Sequence, residues 1–242
     1  IAKSVDIRVE IIGGMTKDYN GYTSDEHGWI FAYTKKDHGI LLDPTWGAGS
    51  VDGNVFTRSY DYWIWFDVSP EWMILTHFPV DNSYQLLDVP ISRSKFLSLP
   101  PVSSLWISYG MNANDIYDMV MRGELSMPAF YADGEGKFQF IEFPLQESLK
   151  IGRFYTMRVK MLTDHNIGIA NNNTVLYKKD DWHHEGDGIY NIEFMPRETG
   201  GISFCIHDQD DVWSKIIKYD IEDPTEEDWN MLMQYYPLDT PL

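Results

Sequence analysis

A histidine and an aspartate stand at the outer ends of two short runs typical of paired strands. His27 precedes the run Gly28–Thr34, Asp43 follows the run Ile40–Leu42, and a polar turn, Lys35–Gly39, joins the runs. Antiparallel pairing brings the outer ends together, so we expect the two side chains to be neighbours. A carboxylate beside an imidazole is the orienting half of a nucleophile–His–Asp site. On spacing alone, two polar residues facing solvent are the favoured alternative, and the hairpin supplies no nucleophile.

The elements around this hairpin are predicted from periodicity and capping residues. Alternation over Ile7–Ile12 indicates a half-buried strand that Gly13-Gly14 closes, and Met15–Glu26 is predicted as a loop. Tyr60–Asp67 is predicted as a strand with both faces covered. Ser69-Pro70-Glu71 has the pattern of a helix start, with an N-cap, a proline and an acid in the first turn.

Two further helices and a series of short strands are predicted in the rest of the chain. Ser92 is predicted to cap a second helix, which ends at Leu99-Pro100-Pro101, our candidate domain boundary. A capped helix is predicted after Asp223-Pro224-Thr225. Between them, short strands alternate with turns, a pattern typical of an antiparallel sandwich. The predicted strands are Leu105–Tyr109, Lys137–Phe143, Tyr155–Leu162, Asn166–Ala170, Val175–Lys178, Gly188–Phe194, Gly201–His207 and Trp213–Tyr219.

Composition restricts the classes of partner. The 242 residues suffice for one large or two modest cores, and 43% hydrophobic with 15% aromatic content argues against a disordered chain. Nineteen basic against 37 acidic residues give a charge of −18, which argues against nucleic acid and anionic membrane surfaces. No apolar run reaches membrane-spanning length. The one cysteine, Cys205, excludes an intrachain disulfide.

The motifs of the first hundred residues together resemble the transglutaminase-like superfamily, specifically its bacterial and KY-type members. The matching segments are Asp6–Gly14, His27-Gly28-Trp29, Leu41–Gly49, Tyr60–Trp63, Thr76-His77-Phe78-Pro79, Gln85-Leu86-Leu87 and Leu99-Pro100. The run Asp43-Pro44-Thr45-Trp46-Gly47-Ala48-Gly49 is the most specific of them. The family commonly carries alanine and asparagine where this chain has Gly28 and Ile30, so details on the substrate side differ.

The resemblance implies a papain-like core with a Cys-His-Asp triad. His27 would exchange the proton of a thiol, Asp43 would orient His27, and a thioester would pass to water or to an amine. In the family the cysteine opens a helix before the first strand, where the helix dipole favours the thiolate. Ile1–Val5 resembles the end of that helix, so we expect the nucleophile upstream of Ile1, in a segment absent from a fragment or processed form. The mechanism requires no cofactor or metal.

We therefore predict an α+β chain with two domains. Residues 1–99 would be the C-terminal part of a papain-like transglutaminase core, and residues 100–242 an immunoglobulin-like β-sandwich with a short C-terminal helix. The expected activity is hydrolysis or acyl transfer on peptide or protein amides, hydrolysis being favoured over cross-linking. A cell-surface or cell-wall polymer is a further candidate partner, and the resemblance favours an extracytoplasmic location. The alternative is a transglutaminase-like binding or scaffold protein without turnover.

The aromatic residues and the second histidine near these motifs are mostly expected to have structural roles. Trp29 and Trp46 are candidates for lining a substrate groove, although for Trp46 packing beside the site is favoured. His77 matches a family motif, but we expect a structural role. Trp63 and Trp65 are expected mainly to pack, although one exposed ring could line a groove.

The second half of the chain offers weaker candidates. Cys205 alternates within a strand pattern and is expected to be a small buried residue rather than the nucleophile. His183–Asp187 contains metal-capable side chains but matches no standard zinc spacing, so a hairpin turn is expected. Asp208–Asp211 is expected to be an acidic turn rather than a calcium loop. A carbohydrate-binding module would require a ring of exposed tryptophans on the sandwich.

Overall fold

The structure, a computed structural model, describes residues 7–35, 38–58, 62–207 and 213–236. The chain is divided into two compact units, Ile1–Leu125 and Ser126–Leu242. Helices and strands are mixed, and the sheets are largely antiparallel. The predicted helix end at Ile1–Val5 and the acidic segment Asp208–Asp211 lie outside the described residues.

An antiparallel five-stranded sheet forms the centre of the first unit. Its order is β6-β3-β2-β1-β7, and a separate hairpin pairs β4 with β5. The strands are β1 (Val9–Lys17), β2 (Thr23–Lys35), β3 (His38–Leu42), β4 (Gly49–Asp52), β5 (Val55–Arg58), β6 (Phe66–Val68) and β7 (His77–Pro79). The helices are α1 (Pro44–Ala48), α2 (Pro70–Thr76), α3 (Arg93–Ser98), α4 (Ser104–Ser108) and α5 (Ala113–Arg122). Short 3-10 helices span Tyr62–Trp65 and Asn82–Gln85.

The first strand runs further than its glycine pair suggested. β1 passes through Gly13-Gly14 to Lys17, and β2 begins at Thr23, so the predicted loop Met15–Glu26 shrinks to a short turn. The reason is a close approach of β7, because a Cβ on Gly14 would lie 2.3 Å from the Phe78 carbonyl oxygen. Here glycine permits backbone contact instead of ending the strand.

Two predicted strands are helical in whole or in part. Within Tyr60–Asp67, the described residues form the 3-10 helix Tyr62–Trp65 and then β6, and the adjacent Ile64 and Trp65 are both buried. Leu105–Tyr109 lies largely in α4, because the Ser103 hydroxyl accepts a hydrogen bond from the Leu105 N–H and caps that helix. An apolar run of about five residues fits the periodicity of a strand or of a helix, and the Ser103 cap favours the helix.

The division between the units falls after Leu125, whereas the sequence placed it at Leu99-Pro100. The helices α4 and α5 lie between these positions, and α5 packs against α2 of the first unit. The proline pair therefore marks a turn within the first unit.

The three predicted helix caps are confirmed. The hydroxyl groups of Ser69, Ser92 and Thr225 accept hydrogen bonds from the backbone N–H groups of Trp72, Lys95 and Asp228. The last cap begins the helix α6 (Glu226–Tyr235) in the second unit, where the Asp228 carboxylate accepts from the Thr225 N–H and completes a capping box.

A buried lysine joins β1 to the end of α3. The Lys17 ammonium donates to the carbonyl oxygens of Phe96 and Leu99, at 2.7 and 2.8 Å, and lies 4.7 Å from the centre of the Phe96 ring. Burial lowers the pKa of Lys17. The Phe96 carbonyl oxygen also accepts from the Leu99 N–H, so Lys17 adds a second donor to it and supplies a donor to the Leu99 carbonyl oxygen at the helix end.

Replacing Lys17 by methionine is expected to lower the free energy of unfolding by about 2–4 kcal/mol, because two carbonyl oxygens lose a charged donor. Urea denaturation followed by tryptophan fluorescence measures this change. The matched control is Lys95→Met on the exposed face of α3, with an expected change within about 0.5 kcal/mol. Equal effects of the two substitutions would show that the buried contacts add no stability.

Two sheets make up the second unit. One sheet has the strand order β10-β17-β16-β12-β13, and β8 also pairs with β17. The other sheet has the strand order β14-β15-β11-β9. The strands are β8 (Ala129–Phe130), β9 (Phe138–Glu142), β10 (Ser148–Leu149), β11 (Tyr155–Met161), β12 (Asn166–Asn171), β13 (Thr174–Lys178), β14 (His183–Gly186), β15 (Ile189–Phe194), β16 (Gly201–His207) and β17 (Trp213–Ile221).

The two sheets pack face to face through aromatic rings. The Phe204 ring on β16 lies 5.0 Å from that of Phe138 and 5.3 Å from that of Phe140, both on β9 of the opposite sheet. All three side chains are buried. Rings at this separation and near-perpendicular angle fill the space between two sheets, so the second unit is a β-sandwich.

Candidate active site

The strands β2 and β3 bring His27 and Asp43 into contact. Their antiparallel register pairs Ile30 with Leu42, so Asp43 directly follows the last paired residue of β3. On the other side of β2, His27 pairs with Gly14 of β1. The His27 Nε2 lies 2.6 Å from the Asp43 Oδ2, which is hydrogen-bonding distance. The predicted proximity of the two side chains is therefore present in the structure.

Asp43 is buried and accepts four hydrogen bonds. Its Oδ1 accepts from the backbone N–H groups of Thr45 and Trp46, at 2.8 and 3.1 Å, and so caps α1. Pro44 occupies the first turn of that helix, where a missing N–H costs nothing. The Oδ2 carries the contacts to two imidazoles. One side chain thus ends β3, begins α1 and orients the site.

The second imidazole belongs to His77. Its Nε2 lies 2.9 Å from the same Asp43 Oδ2, and its Nδ1 lies 2.8 Å from the Thr76 Oγ1. His77 begins β7, directly after the end of α2, and pairs with Thr16 of β1. The sequence indicated a structural role for His77, and its full burial agrees with one. The contact with Asp43 was not foreseen, because only the pairing of β1 with β7 brings the two residues together.

The charges of the cluster follow from burial and hydrogen bonding. Burial opposes ionisation of Asp43, but the donors on His77 and His27 outweigh it and hold the pKa of Asp43 below its ordinary value. Burial lowers the pKa of His77 despite the opposing effect of Asp43. A carboxylate and a neutral His77 with its proton on Nε2 satisfy their mutual contact. The Thr76 hydroxyl lies 2.8 Å from Nδ1 and 3.2 Å from the Met73 carbonyl oxygen, and in this state its one proton is donated to Nδ1.

His27 is the accessible member of the cluster. Its side chain is 15% exposed, whereas those of Asp43 and His77 are completely buried. With Nε2 directed at Asp43, the nitrogen left for chemistry is Nδ1, and no hydrogen bond joins that atom to any of the described residues. An imidazole held by a carboxylate with its other nitrogen open is arranged to accept and return a proton.

Trp29 supports the site from within. It is 1% exposed, and its ring lies edge-on to His77 with 4.9 Å between the centroids. The expectation that Trp29 lines a substrate groove is therefore corrected. Its place opposite Ile12 directs the indole onto the covered face of the sheet, where it packs the histidines.

Trp46 lies between the histidines and a cavity. Its ring centroid is 5.9 Å from that of His27 and 4.6 Å from that of His77, and the side chain is half-buried. The cavity measures about 380 Å³ and is lined by Asp18, Tyr19, Trp46, Trp65, Trp72, Thr76, Val102 and Ser104. Trp46 thus remains a candidate for substrate contact.

A second cavity lies on the other side of α1. It measures about 270 Å³ and is lined by Leu42, Asp43, Pro44, Gly47, Ala48, Tyr62, Trp63, Trp65 and Phe66. Trp65 is buried and Trp63 is 43% exposed, which agrees with the expectation that one of these rings packs while the other can line a groove. Four aromatic side chains line each cavity, which suits apolar side chains of a ligand.

The remaining candidates have structural places in the second unit. Cys205 is buried in β16, its Sγ lies 3.7 Å from the Ser203 carbonyl oxygen, and burial raises its pKa to about 11. The segment expected to be a hairpin turn, His183–Asp187, is mostly strand: His183–Gly186 form β14, and only Asp187 lies in the turn into β15. Of the described tryptophans of this unit, Trp182 is buried and Trp213 half-buried, so they form no exposed ring with Trp229.

Replacing His77 by glutamine is expected to flatten the acid side of the stability profile. Burial lowers the folded-state pKa of His77, so its stabilising contribution is full above the unfolded value of about 6.5 and decreases as the pH falls below it. Urea midpoints between pH 7.5 and 5 should fall less in the variant than in the wild type. The control is His183→Gln at an exposed position. An identical slope in wild type and His77→Gln would contradict a neutral, buried His77.

Comparisons with known proteins give little. The chain matches no family model and no curated protein. Among solved structures it is similar to the twitchin kinase region from C. elegans (Fn31-NL-kin-CRD-Ig26), with 13% identity over 39% of this chain and 18% of that one. The TM-score of 0.24 is too low for that similarity to inform fold or function.

The helices of the described residues are too short or too polar to cross a lipid bilayer.

Proposed function

We propose that the first unit carries the His-Asp part of a transglutaminase-like cysteine triad acting on peptide or protein amides. The observation that carries this proposal is the 2.6 Å contact between the His27 Nε2 and the Asp43 Oδ2, which leaves Nδ1 open. Asp43, whose lowered pKa keeps it ionised, holds the imidazole as the tautomer protonated on Nε2.

The proton transfers follow from this arrangement. His27 Nδ1 takes the proton of a cysteine thiol, and the thiolate attacks the amide carbonyl carbon. The resulting imidazolium is stabilised by Asp43 and gives its proton to the leaving amine as the C–N bond breaks. Water then attacks the thioester while His27 takes a proton from it, and the acid is released with the thiol restored. An amine in place of water would give acyl transfer instead.

The finer fold belongs to the same proposal. An antiparallel sheet with His27 within β2 and Asp43 directly after the neighbouring β3 supports a papain-like core for the first unit. Two largely antiparallel sheets packed through Phe204 support an immunoglobulin-like sandwich for the second. We infer that the sandwich positions or recognises the substrate, and that the aromatic cavities beside Trp46 and Trp63 receive apolar side chains next to the amide.

The thiol has to come from outside the described residues. Cys205 is buried in β16, and a pKa near 11 keeps it protonated at neutral pH. This observation also favours the second candidate function, a binding protein that keeps the site without turnover. In that case, the cavities beside α1 would bind a partner and the imidazole would serve structure alone.

The test is thiol labelling of the polypeptide as its gene encodes it. Under brief iodoacetamide treatment at pH 6.5, we expect one cysteine to react at least about tenfold faster than Cys205, because a paired imidazole favours the thiolate. Mass spectrometry of the peptides identifies it, and amide hydrolysis should be lost with the same rate constant. Uniformly slow labelling would favour the binding protein over the enzyme.

A further inference from the structure

The histidine–aspartate cluster contains three donor atoms of a kind that binds transition metals. The atoms are the Nε2 of His27, the Oδ2 of Asp43 and the Nε2 of His77, and all lie within 4.8 Å of one another. Two imidazoles and one carboxylate form a common ligand set for zinc and related ions when a further position stays open. We propose that these three side chains also bind a divalent ion of the zinc type.

The distances suit an ion after a small movement. Zinc lies about 2.0–2.2 Å from such ligands, and tetrahedral geometry then separates the ligand atoms by about 3.3 Å. The two nitrogen–oxygen distances are now 2.6 and 2.9 Å. Reaching about 3.3 Å requires the His27 contact to lengthen by about 0.7 Å and the His77 contact by about 0.4 Å. His27 is the partly exposed member, so the larger movement falls on the side chain that is freer to shift.

The surrounding hydrogen bonds already hold two ligands as a metal site requires. Asp43 keeps its Oδ1 bonds from Thr45 and Trp46, which leaves Oδ2 for the ion. His77 moves its proton from Nε2 to Nδ1 and donates to the Thr76 Oγ1, whose hydroxyl in turn donates to the Met73 carbonyl oxygen 3.2 Å away. Histidine ligands of metals are typically fixed by such a hydrogen bond from the other nitrogen.

Charge and protons balance in this exchange. On each imidazole the N–H bond at Nε2 breaks and one at Nδ1 forms by proton exchange with water, so the charge of the ligands is unchanged, and bonds to the ion replace the two hydrogen bonds to Asp43. The ion offsets the buried carboxylate, and the −18 charge of the chain raises the local concentration of cations. Metal binding stands on this geometry alone. The consequence of metal binding for activity rests on the proposed function. The ion occupies the His27 Nε2, the atom that otherwise contacts Asp43, so the metal-bound form would be inactive toward amides.

The experiment titrates ZnCl₂ into the metal-free 242-residue chain at pH 7.5, by calorimetry and by competition with a chromophoric chelator. We expect one ion per chain with a Kd of about 1 µM or tighter. His27→Gln removes one imidazole nitrogen at the surface. His77→Gln keeps an N–H donor toward Asp43, but its amide nitrogen has no lone pair for the ion. Each should weaken binding at least about 100-fold, while the exposed His183→Gln should leave it unchanged.

Two outcomes would overturn the metal site. One is wild-type binding weaker than about 100 µM; the other is binding that both cluster variants retain, which would place the ion elsewhere. Circular dichroism confirms that each variant is folded, and if His77→Gln is not, His27→Gln decides. Thiol labelling of the gene-encoded polypeptide is a separate measurement, so the proposed function and the metal site can fail independently.

Discussion

Replacing His27 by alanine is expected to lower kcat for amide hydrolysis by about 10³-fold, with KM changed by less than about threefold. The imidazole acts on the proton of the nucleophile and of the leaving amine, and these transfers occur in the transition state. The side chain lies within β2 and is partly exposed, and its removal takes one donor from the buried Asp43 carboxylate, so we expect the free energy of unfolding to fall by about 1–2 kcal/mol. Steady-state rates on a chromogenic peptide amide, with the gene-encoded polypeptide, measure the effect.

The matched control for this substitution is His183→Ala, an exposed histidine of the second unit. Its kcat should equal that of the wild type. The rate of cysteine alkylation adds an independent reading, since loss of His27 should slow it by about tenfold or more at pH 6.5. Retention of full kcat in His27→Ala would remove the imidazole from the mechanism.

Replacing Asp43 by alanine is expected to lower the free energy of unfolding of the first unit by about 3–5 kcal/mol. The carboxylate is completely buried and accepts four hydrogen bonds. Its loss leaves the N–H groups of Thr45, Trp46 and the buried His77 without an acceptor, each at a cost of about 1–3 kcal/mol unless the structure adjusts. Urea denaturation monitored by tryptophan fluorescence measures the change.

Asp43→Asn separates stability from catalysis. Its carbonyl oxygen can still cap α1, so the variant should lose only about 1–2 kcal/mol. Its amide N–H₂ meets two imidazoles that need an acceptor, which disfavours the Nε2–H tautomer of His27. We therefore expect kcat to fall by on the order of 10⁴-fold. If Asp43→Ala were as stable as the wild type, the hydrogen bonds around the carboxylate would not contribute to the fold.

The hairpin at the centre of the site was accessible from sequence because its geometry is local. Two apolar runs joined by a short turn have one antiparallel arrangement, which places His27 beside Asp43. The helix caps at Ser69, Ser92 and Thr225 were predictable for the same reason, since each depends on residues within one turn.

Features that depend on residues far apart in the chain could not be predicted from the sequence. The burial of Trp29 follows from its place opposite Ile12 of β1, and the contact of His77 with Asp43 follows from the pairing of β7 with β1. No local pattern around His77 encodes that pairing. Leu105–Tyr109 shows a further limit, because an apolar run of this length fits strand or helix until the cap at Ser103 is recognised.

The most direct test of the orienting pair is the tautomer of His27, read by imidazole ¹⁵N NMR on the 242-residue chain in metal-free buffer at pH 7.5. If Asp43 holds the imidazole as the 2.6 Å contact implies, His27 will show a protonated Nε2 and an unprotonated Nδ1. In Asp43→Asn this preference should be lost. A proton on Nδ1 in the wild type, or a tautomer mixture equal to that of Asp43→Asn, would contradict the account.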